Sequence, residues 1–350
     1  MKAATFYAPG DLRVGEVPEP SAGPGELKLV MHATATCGTD AKIFHHGHHR
    51  LEPPQVIGHE LAGEVVEVGE GVTDRRVGDR LQVIAAVPCG DCWACAAGKM
   101  TVCPNQTSMG YQYPGGFAEY MIVPRQVLEV DGVNPIPDGV SYAEASVTEP
   151  LACALNAQEL AGVGDDDVVV VMGAGPIGCM HVRLARARGA RRVYLVDVNP
   201  GRLALSAAKV DPDAAIEGSS VDVVDEVRKL TDGRGADVII TAAPAGSAQE
   251  QAIEMAAPQG RISFFGGLPK DDPFIRCDSN LIHYRELFVI GANGSSPEHN
   301  RRALDLIASG EVVVADLITH RFPLDDVHQA IDAVISGEGI KVVVEPSQHA

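Results

Sequence analysis

The sequence predicts an α/β protein in which a β-rich region is followed by a doubly wound parallel sheet. Three observations predict it: valine-bearing segments that end at glycine or proline before residue 150, alternating apolar and helical segments after it, and a glycine-rich turn among these. A chain of 350 residues suits two domains with a core each. We expect a β-rich domain over 1–150, an α/β domain over 151–291 and a C-terminal segment over 292–350.

The composition excludes several classes of partner. Apolar residues make up 45% and charged residues 21%, which is typical of a water-soluble globular protein. Acidic residues outnumber basic ones by 47 to 28, and the net charge of −19 repels phosphate backbones, so no nucleic-acid partner is expected. No apolar run approaches the roughly 20 residues of a membrane helix, and the N-terminus lacks the apolar core of a signal peptide. We therefore expect a cytoplasmic protein without a membrane partner.

Strands dominate the first region. Short apolar runs rich in valine end at turn residues, as strands do. The runs that predict strands are "LKLVMHATA", "LAGEVVEVGEGV", "VGDRLQVIAAVPCG" and "FAEYMIVP".

The region after Pro150 alternates strand and helix patterns. The continuous apolar run 168–171 suits a strand that is buried on both faces of a parallel sheet. Further strand–helix units follow around "ADVIITAA", "GRISFFGG" and "LFVIGANG", and the chain closes with the helical "PEHNRRALDLIASG" and the strand-like "IKVVVEP".

A glycine-rich turn, "GAGPIG", follows the run 168–171 and precedes a helical pattern. Such a turn between strand and helix binds the pyrophosphate of a dinucleotide, whereas the bare motif is a common structural turn. The first glycine permits the tight turn, the second lets the backbone approach the phosphates and the third lets helix and strand pack closely. The helix N-terminus adds free N–H groups and partial positive charge. The candidate coenzyme-binding residues here are Gly173, Gly175, Pro176, Ile177 and Gly178.

An acidic residue ends the next apolar run, "VYLVD". Asp197 can accept hydrogen bonds from both ribose hydroxyls of NAD, and its charge would repel the 2′-phosphate of NADP. Arg202 follows closely and would favour NADP. The sequence predicts NAD as the coenzyme, with Arg202 as the feature that argues for NADP.

Four cysteines cluster in "CGDCWACAAGKMTVCP". Cys89, Cys92, Cys95 and Cys103 have the spacing that brings four thiolates to one tetrahedral zinc ion. An iron–sulfur cluster is the alternative, but the last gap is too long for the ferredoxin pattern and no second set exists. A site with four sulfur ligands has no position for substrate, so we predict a structural role.

A second, open metal site is suggested by residues that are scattered in the sequence. Cys37, His59, Glu60 and Glu149 offer a thiolate, an imidazole and two carboxylates, and a mixed set suits catalytic zinc. Each residue also has an ordinary explanation: a buried thiol, a turn or ion-pair element, and a residue that precedes a proline at an element boundary. On their chemistry alone, both interpretations stand.

The whole chain resembles the zinc-containing medium-chain alcohol dehydrogenases, and within them the branch of polyol (sorbitol-like) and threonine dehydrogenases. The motifs that carry the resemblance occur in one order: "CGTD" (37–40), "GHELAGEVVEVGEGV" (58–72), the four-cysteine loop, "GGFAEYMIVP" (115–124), "EPL" (149–151) and "GAGPIG" (173–178).

The resemblance implies a GroES-like catalytic domain to which the C-terminal segment returns, a Rossmann coenzyme domain and an active-site cleft between them. It also implies two zinc ions per chain. The catalytic ion is held by residues that match Cys37, His59 and Glu60, with Glu149 as an additional or exchanging ligand. Zinc would act as a Lewis acid on an alcohol whose hydride passes to NAD.

The resemblance also implies a path for the alcohol proton. Thr39 matches the family's first proton carrier, although a helix N-cap is an equal interpretation of it. Lys42 stands where many relatives have the histidine that completes the relay; it is a relay group, a surface charge or a contact to an acidic substrate. The nearby "FHHGHHR" is predicted to be a solvated loop.

The substrate is predicted only as a class. Gly291 and Ala292 stand where animal sorbitol dehydrogenases carry an arginine and a tyrosine for sugar hydroxyls, so sorbitol itself is not expected. We expect oxidation of a secondary alcohol of a polyol, sugar or cyclitol, with L-threonine as the nearest alternative. A non-catalytic NAD-redox sensor or a zinc-loop interaction protein is the alternative of another class. A homotetramer is expected, with a dimer as the alternative, and Cys179 and Cys277 are expected in cores.

Overall fold

The computed structural model describes residues 1–347 and divides the chain into two compact units. The first contains Met1–Ala152 and the segment from Gly294 onward, and the second contains Cys153–Asn293. The predicted α/β class is confirmed: the first unit is β-rich, and the second contains a parallel sheet. Within the described residues, no helix has both the length and the apolar character that a membrane span requires.

The strands and helices have the following bounds. The strands are β1 (Lys2–Ala8), β2 (Asp11–Glu16), β3 (Leu27–Ala35), β4 (Gln55–Val56), β5 (Glu60–Val68), β6 (Arg80–Val83), β7 (Ala86–Val87), β8 (Thr107–Ser108), β9 (Tyr120–Val123), β10 (Val133–Pro135), β11 (Val168–Met172), β12 (Arg192–Asp197), β13 (Ala214–Glu217), β14 (Ala236–Thr241), β15 (Ala256–Phe264), β16 (Phe288–Gly291), β17 (Ile318–Pro323) and β18 (Lys341–Glu345). The helices are α1 (Gly38–His46), α2 (Trp93–Ala96), α3 (Arg125–Glu129), α4 (Tyr142–Ser146), α5 (Thr148–Leu160), α6 (Pro176–Ala187), α7 (Pro200–Val210), α8 (Val223–Leu230), α9 (Gly246–Met255), α10 (Ser279–Arg285), α11 (Pro297–Ala308) and α12 (Val327–Ser336).

The main sheet of the first unit has the order β10-β6-β5-β3-β18-β17, with β9 also paired to β3. Strand β3 is antiparallel to both β5 and β18, and Ala35 lies opposite Glu60 on one side and Val343 on the other. Because the three strands align in this register, the end of β3, the start of β5 and the start of β18 meet at one end of the sheet.

Apolar side chains explain why β3 is central. Leu27, Leu29 and Met31 are fully buried and pack in one cluster with Leu61 and Leu81 of the neighbouring strands. Alternate residues of a strand share a face, so this spacing places all three in the same core. Each fully buried leucine or methionine contributes roughly 1.5–3 kcal/mol relative to exposure, which anchors the strand whose end leads into Cys37.

The second unit contains a six-stranded sheet in the order β13-β12-β11-β14-β15-β16, and its paired strands are parallel. All five residues of β11 are buried, as the continuous apolar run predicts. The chain order of the strands reverses between β11 and β14, and ligands of doubly wound sheets bind at the carboxyl ends of the strands at such a point. The glycine-rich turn follows the carboxyl end of β11.

Candidate metal centres and coenzyme site

Cys37 is the N-cap of α1. Its sulfur accepts the N–H of Thr39 at 3.2 Å, and the Asp40 carboxylate accepts the N–H of Cys37 at 2.9 Å, which forms a capping box. The interpretation of Thr39 as the N-cap is therefore wrong, because the cap lies two residues earlier. The positive end of the helix dipole lies next to the Cys37 sulfur.

His59 and Glu60 lie where the chain enters β5, and both are buried. Gly58, just before them, has φ +94°, and a Cβ on it would meet the Phe117 ring and Thr34 Cγ2 at 3.0 Å. Only glycine suits this close approach and this positive φ. The turn places His59 Nε2 3.3 Å from Cys37 Sγ, and one ligand atom each of Cys37, His59 and Glu60 lies within 4.8 Å of the others.

We call the group of Cys37, His59 and Glu60 the mixed-ligand centre. It has the dimensions of a zinc site. Zinc–sulfur and zinc–nitrogen bonds at a tetrahedral angle place their ligand atoms about 3.5 Å apart, close to the 3.3 Å between Cys37 Sγ and His59 Nε2. One sulfur, one nitrogen and one carboxylate oxygen leave the fourth position for a further ligand, as in catalytic zinc sites. The donor set therefore fits a catalytic metal.

Asp40 supports this centre, although the sequence analysis did not identify it. Its side chain is buried, and Oδ1 lies 3.2 Å from His59 Nδ1. A carboxylate on the second ring nitrogen of a metal-ligating histidine fixes the tautomer and orients the ring. Burial opposes protonation of His59, but the charges of Cys37 and Asp40 outweigh it and raise the pKa of His59 well above its usual value.

Lys341 contacts the same centre from β18 and was also not identified from the sequence. Its Nζ lies 2.7 Å from Glu60 Oε1 and 2.5 Å from Oε2, and both side chains are 1% exposed. Burial raises the pKa of Glu60 to about 7, with Lys341 acting in the opposite direction and Glu149 adding to the rise.

Glu149 lies in the first turn of α5 and is not one of the three residues whose ligand atoms converge. Its charge nevertheless affects the pKa of Glu60, so the two carboxylates share one electrostatic environment. Thr39 is half-buried and Lys42 is exposed, both on α1. The metal-ligand role of Glu149 and the relay roles of Thr39 and Lys42 stay predictions.

Tyr111 is a third neighbour of the centre that the sequence analysis missed. Its ring centroid lies 6.3 Å from that of His59 and 4.9 Å from that of His48. Burial raises the pKa of Tyr111 to about 12, so its hydroxyl is protonated at neutral pH. His45, His46 and His49 of the histidine-rich segment are exposed, and His48 is half-buried.

The four-cysteine loop brings its sulfur atoms together around α2. Cys92 Sγ lies 3.5 Å from Cys95 Sγ and 3.7 Å from Cys103 Sγ, and Cys103 Sγ lies 3.5 Å from Cys89 Sγ. The edge of a tetrahedral four-sulfur zinc site is about 3.8 Å, so the loop fits one zinc ion. The N–H of Cys95 helps to lower the pKa of Cys92 to about 7, whereas burial raises the pKa of Cys95 to about 12.

The remaining cysteines differ in their surroundings. Cys179 is buried in α6, as expected, and Cys153 is half-buried. The expectation that Cys277 lies in a core is wrong, because it is exposed in the segment that precedes α10.

The glycine-rich turn has room for a ligand at its second glycine. Gly173 has φ +115°, and a Cβ on Gly178 would lie 1.8 Å from the Gly173 carbonyl oxygen, so the fold itself requires both glycines. A Cβ on Gly175 would meet no described atom within 4 Å. Gly175 begins α6 without a side-chain cap in the described structure. The open space at a helix N-terminus fits a pyrophosphate.

Asp197 ends β12 and already accepts four hydrogen bonds. The N–H groups of Ala174 and Asn199 donate to it at 2.7 and 2.8 Å, and Arg202 donates through Nε and Nη2, both at 3.1 Å. Burial acts to raise the pKa of Asp197, but these hydrogen bonds outweigh it, and the pKa lies below its ordinary value.

Known proteins resemble this chain over nearly its full length. Residues 23–132 match the alcohol dehydrogenase GroES-like domain, and residues 176–309 match the zinc-binding dehydrogenase family. A sorbitol dehydrogenase of Halalkalibacterium halodurans is 34% identical over 350 residues, with 99% of each chain covered. An L-threonine 3-dehydrogenase of Pyrococcus abyssi is 36% identical over 334 residues, covering 94% of this chain and 93% of its own.

A solved structure is also similar to this chain in its three-dimensional fold. A zinc-binding dehydrogenase from Sinorhizobium meliloti bound to NADP aligns with a TM-score of 0.91 and 32% identity, with 99% of each chain covered. Together, the fold and the ligand groups define a zinc-dependent oxidoreductase. The chain belongs to the zinc-containing medium-chain alcohol dehydrogenases, in the branch of the polyol and threonine dehydrogenases.

Proposed function

We propose that the protein transfers a hydride between NAD and a secondary alcohol of a polyol, sugar or cyclitol, with zinc in the mixed-ligand centre. The observation that carries the proposal is the convergence of one thiolate, one imidazole and one carboxylate within 4.8 Å. Glu149 would serve as an exchanging ligand, because its charge already acts on Glu60.

The mixed-ligand centre would hold the metal, and residues of α1 would orient a ligand and move the proton. Zinc, when bound, supplies Lewis acidity toward the alcohol oxygen, and NAD supplies the hydride acceptor. Asp40 holds the His59 ring through Nδ1, which leaves Nε2 for the metal. Thr39 and Lys42 lie three residues apart on α1 and thus on one face. The half-buried Thr39 hydroxyl would take the alcohol proton first, and the exposed Lys42 would pass it to solvent.

NAD is favoured by Asp197, and Arg202 is the residue that weakens this preference. The four hydrogen bonds to Asp197 fill the acceptor sites of a carboxylate, so a ribose diol must displace the Arg202 guanidinium to bind there. The displaced guanidinium would then be available to a 2′-phosphate. The relative from Sinorhizobium meliloti is bound to NADP, so both coenzymes belong in the assay. The pyrophosphate would lie at Gly175, on the backbone of Gly173–Gly178.

L-Threonine is the second candidate substrate, because several relatives of comparable identity are L-threonine 3-dehydrogenases. The chemistry at the metal would be the same, and only the contacts to the rest of the substrate would differ.

A substrate panel tests the proposal. Purified protein is assayed with NAD and with NADP against polyols, sugars, cyclitols and L-threonine, and its zinc content is measured. We expect turnover of a polyol-type alcohol with NAD and close to two zinc ions per chain, one for each ligand group. Strict preference for threonine would replace the substrate class. Absence of turnover with a single bound zinc ion would favour a sensor or an interaction protein.

A homo-oligomer is proposed, with a tetramer expected and a dimer as the alternative. Strand β16 ends the order of the parallel sheet, and its residues Phe288 and Val289 are exposed. An exposed apolar edge strand is a template for pairing with another strand. Light scattering of the wild type and of Val289→Lys tests this: the variant should form smaller species, and an unchanged mass would exclude this edge.

A cytoplasmic location is also proposed. All eight cysteines are free, and a reducing compartment preserves thiols that must bind metal. Cell fractionation with an antibody to the native protein would test this location.

A further inference from the structure

Lys341 is an unusual lysine, because its entire side chain is buried. It is 1% exposed, and lysine is almost never fully buried without a partner. Its ammonium group donates to Glu60 Oε1 at 2.7 Å and to the Thr36 carbonyl oxygen at 2.8 Å. The ammonium therefore touches the residue before Cys37 and also Glu60 itself.

The sheet explains how one lysine reaches both segments. Strand β18 pairs with β3, and the Thr36 N–H and hydroxyl both donate to the Val342 carbonyl, at 2.9 and 3.1 Å. On its other side β3 pairs with β5, where Ala35 lies opposite Glu60. The backbone therefore fixes Lys341 beside both ligand-bearing segments.

The ammonium and a metal cation would compete for the same carboxylate. Both Glu60 oxygens lie within 2.7 Å of Lys341 Nζ, so the carboxylate charge is already shared before a cation arrives. In a buried site, a nearby positive charge also repels a divalent cation more strongly than it would in water. A carboxylate shared in this way binds the cation less firmly than a free one.

We propose that Lys341 is a positioning residue that keeps the bond between Glu60 and the catalytic cation weak enough to exchange. The inference rests on the proposed metal centre. Glu60 would hold the cation when no substrate is present and would be the ligand that an alcohol can replace. Lys341 would retain the free carboxylate through the ammonium, as it does in the structure.

A double-mutant cycle tests this role in the full-length protein. Wild type, Lys341→Met, Glu60→Gln and the double variant are loaded with Zn²⁺ or Co²⁺, and the cation affinity of the mixed-ligand centre is measured by chelator competition at one fixed pH. We expect Lys341→Met to tighten cation binding by about tenfold or more in the wild-type background and by less than about twofold in the Glu60→Gln background. The visible spectrum of the Co²⁺ protein should change with Lys341→Met only where Glu60 is present.

Turnover supplies a second measurement. Lys341→Met should lower kcat at saturating alcohol while the KM for the coenzyme stays unchanged, because Glu60 is released more slowly. Lys341→Gln keeps a hydrogen-bond donor but removes the charge, and it should tighten cation binding in the same direction; it replaces Lys341→Met if that variant does not fold.

The matched control is Lys28→Met. Lys28 is a buried lysine at the other end of β3, paired with Glu19. Its removal should leave cation affinity unchanged. An equal effect of Lys341→Met in both backgrounds, or weaker cation binding, would overturn the role of Lys341 while the metal centre stands. A wild type that binds no more cation than Cys37→Ala would overturn the metal centre and the role of Lys341 together.

Discussion

The two groups of candidate metal ligands differ in how the chain assembles them. The four-cysteine loop takes its ligands from one segment, Cys89 to Cys103, in which Cys89 and Cys92 are half-buried and Cys95 and Cys103 are buried. The mixed-ligand centre takes Cys37 from the end of β3 and His59 with Glu60 from the start of β5, and Lys341 of β18 supports it.

The chemical difference follows from the assembly. A local loop of four thiolates closes the metal's coordination and stabilises the loop. The ligands of the mixed-ligand centre adjoin the paired strands β3 and β5, which the sheet already holds together, so metal is not needed to join these strands. Three ligands would leave a fourth position open, and the charges of Asp40 and Lys341 act on the pKa of His59 and of Glu60. We therefore expect the loop to contribute to stability and the mixed-ligand centre to contribute to turnover.

Replacement of Cys37 should have the largest effect. We expect Cys37→Ala to reduce turnover by more than about a thousandfold, because the catalytic metal loses its thiolate. Coenzyme binding should be retained, and zinc content should fall by one ion per chain. Steady-state kinetics, a coenzyme titration and metal analysis measure the three quantities.

The loss of the helix cap must be separated from the loss of the ligand. Cys37→Ala also removes the acceptor of the Thr39 N–H, which costs about 1 kcal/mol of stability. Cys37→Ser keeps an acceptor at this position and should be more stable than Cys37→Ala yet equally inactive. Activity near that of the wild type in either variant would rule out the assigned role.

Replacement of Cys95 should have the opposite profile. We expect Cys95→Ala to lose the zinc of the loop and several kcal/mol of stability, because metal binding contributes to folding in such sites. Turnover per folded molecule should remain within about twofold of the wild type, because the open centre carries the chemistry. Thermal unfolding, zinc content and kinetics test this, and the exposed Cys277→Ser serves as the control without effect. A Cys95 variant that folds normally but is inactive would reverse the comparison.

The sequence predicted the local features well for physical reasons. Strand β3 has the limits of the quoted segment "LKLVMHATA", and the buried β11 follows from a continuous apolar run. The four cysteines converge, as their short spacing in one loop allows, and the GroES-like and Rossmann folds are confirmed.

The residues that were missed depend on long-range pairing. Lys341 lies 281 positions from Glu60, and nothing in the sequence near either residue indicates the contact. Tyr111 reaches His59 only through the folded chain. Asp40 had a local signal, since it follows Cys37 by three residues as in a capping box, but Thr39 was the residue considered as a possible cap. Cys277 was misplaced because composition alone does not distinguish a buried thiol from one in an exposed segment.

A smaller effect is expected from replacing Asp40, which contacts His59 of the mixed-ligand centre. Asp40→Asn keeps the shape but removes the negative charge 3.2 Å from His59 Nδ1. We expect zinc affinity and turnover to fall by about 10–100-fold, as for other carboxylates that orient metal-ligating histidines. Zn²⁺ affinity by chelator competition and kcat measure this. Asp91→Asn, at the four-cysteine loop, is the matched control and should leave turnover unchanged; equal losses in both variants would remove the distinction between the two sites.

The smallest effect concerns His181, a buried histidine whose pKa is shifted by burial alone. His181 is fully buried in α6, and burial lowers its pKa to about 3, whereas the pKa of His59 is raised. The unfolded chain therefore binds a proton below pH 6.5 that folded His181 does not bind, and stability falls as pH falls. Between pH 6.5 and about pH 5.5 the wild type should lose about 1 kcal/mol of stability more than His181→Gln does. Urea unfolding at both pH values measures this difference. The control is His283→Gln at an exposed position, which should lose as much stability as the wild type between the two pH values. If His181→Gln also lost as much stability as the wild type, the burial of His181 would not be the cause of the acid sensitivity.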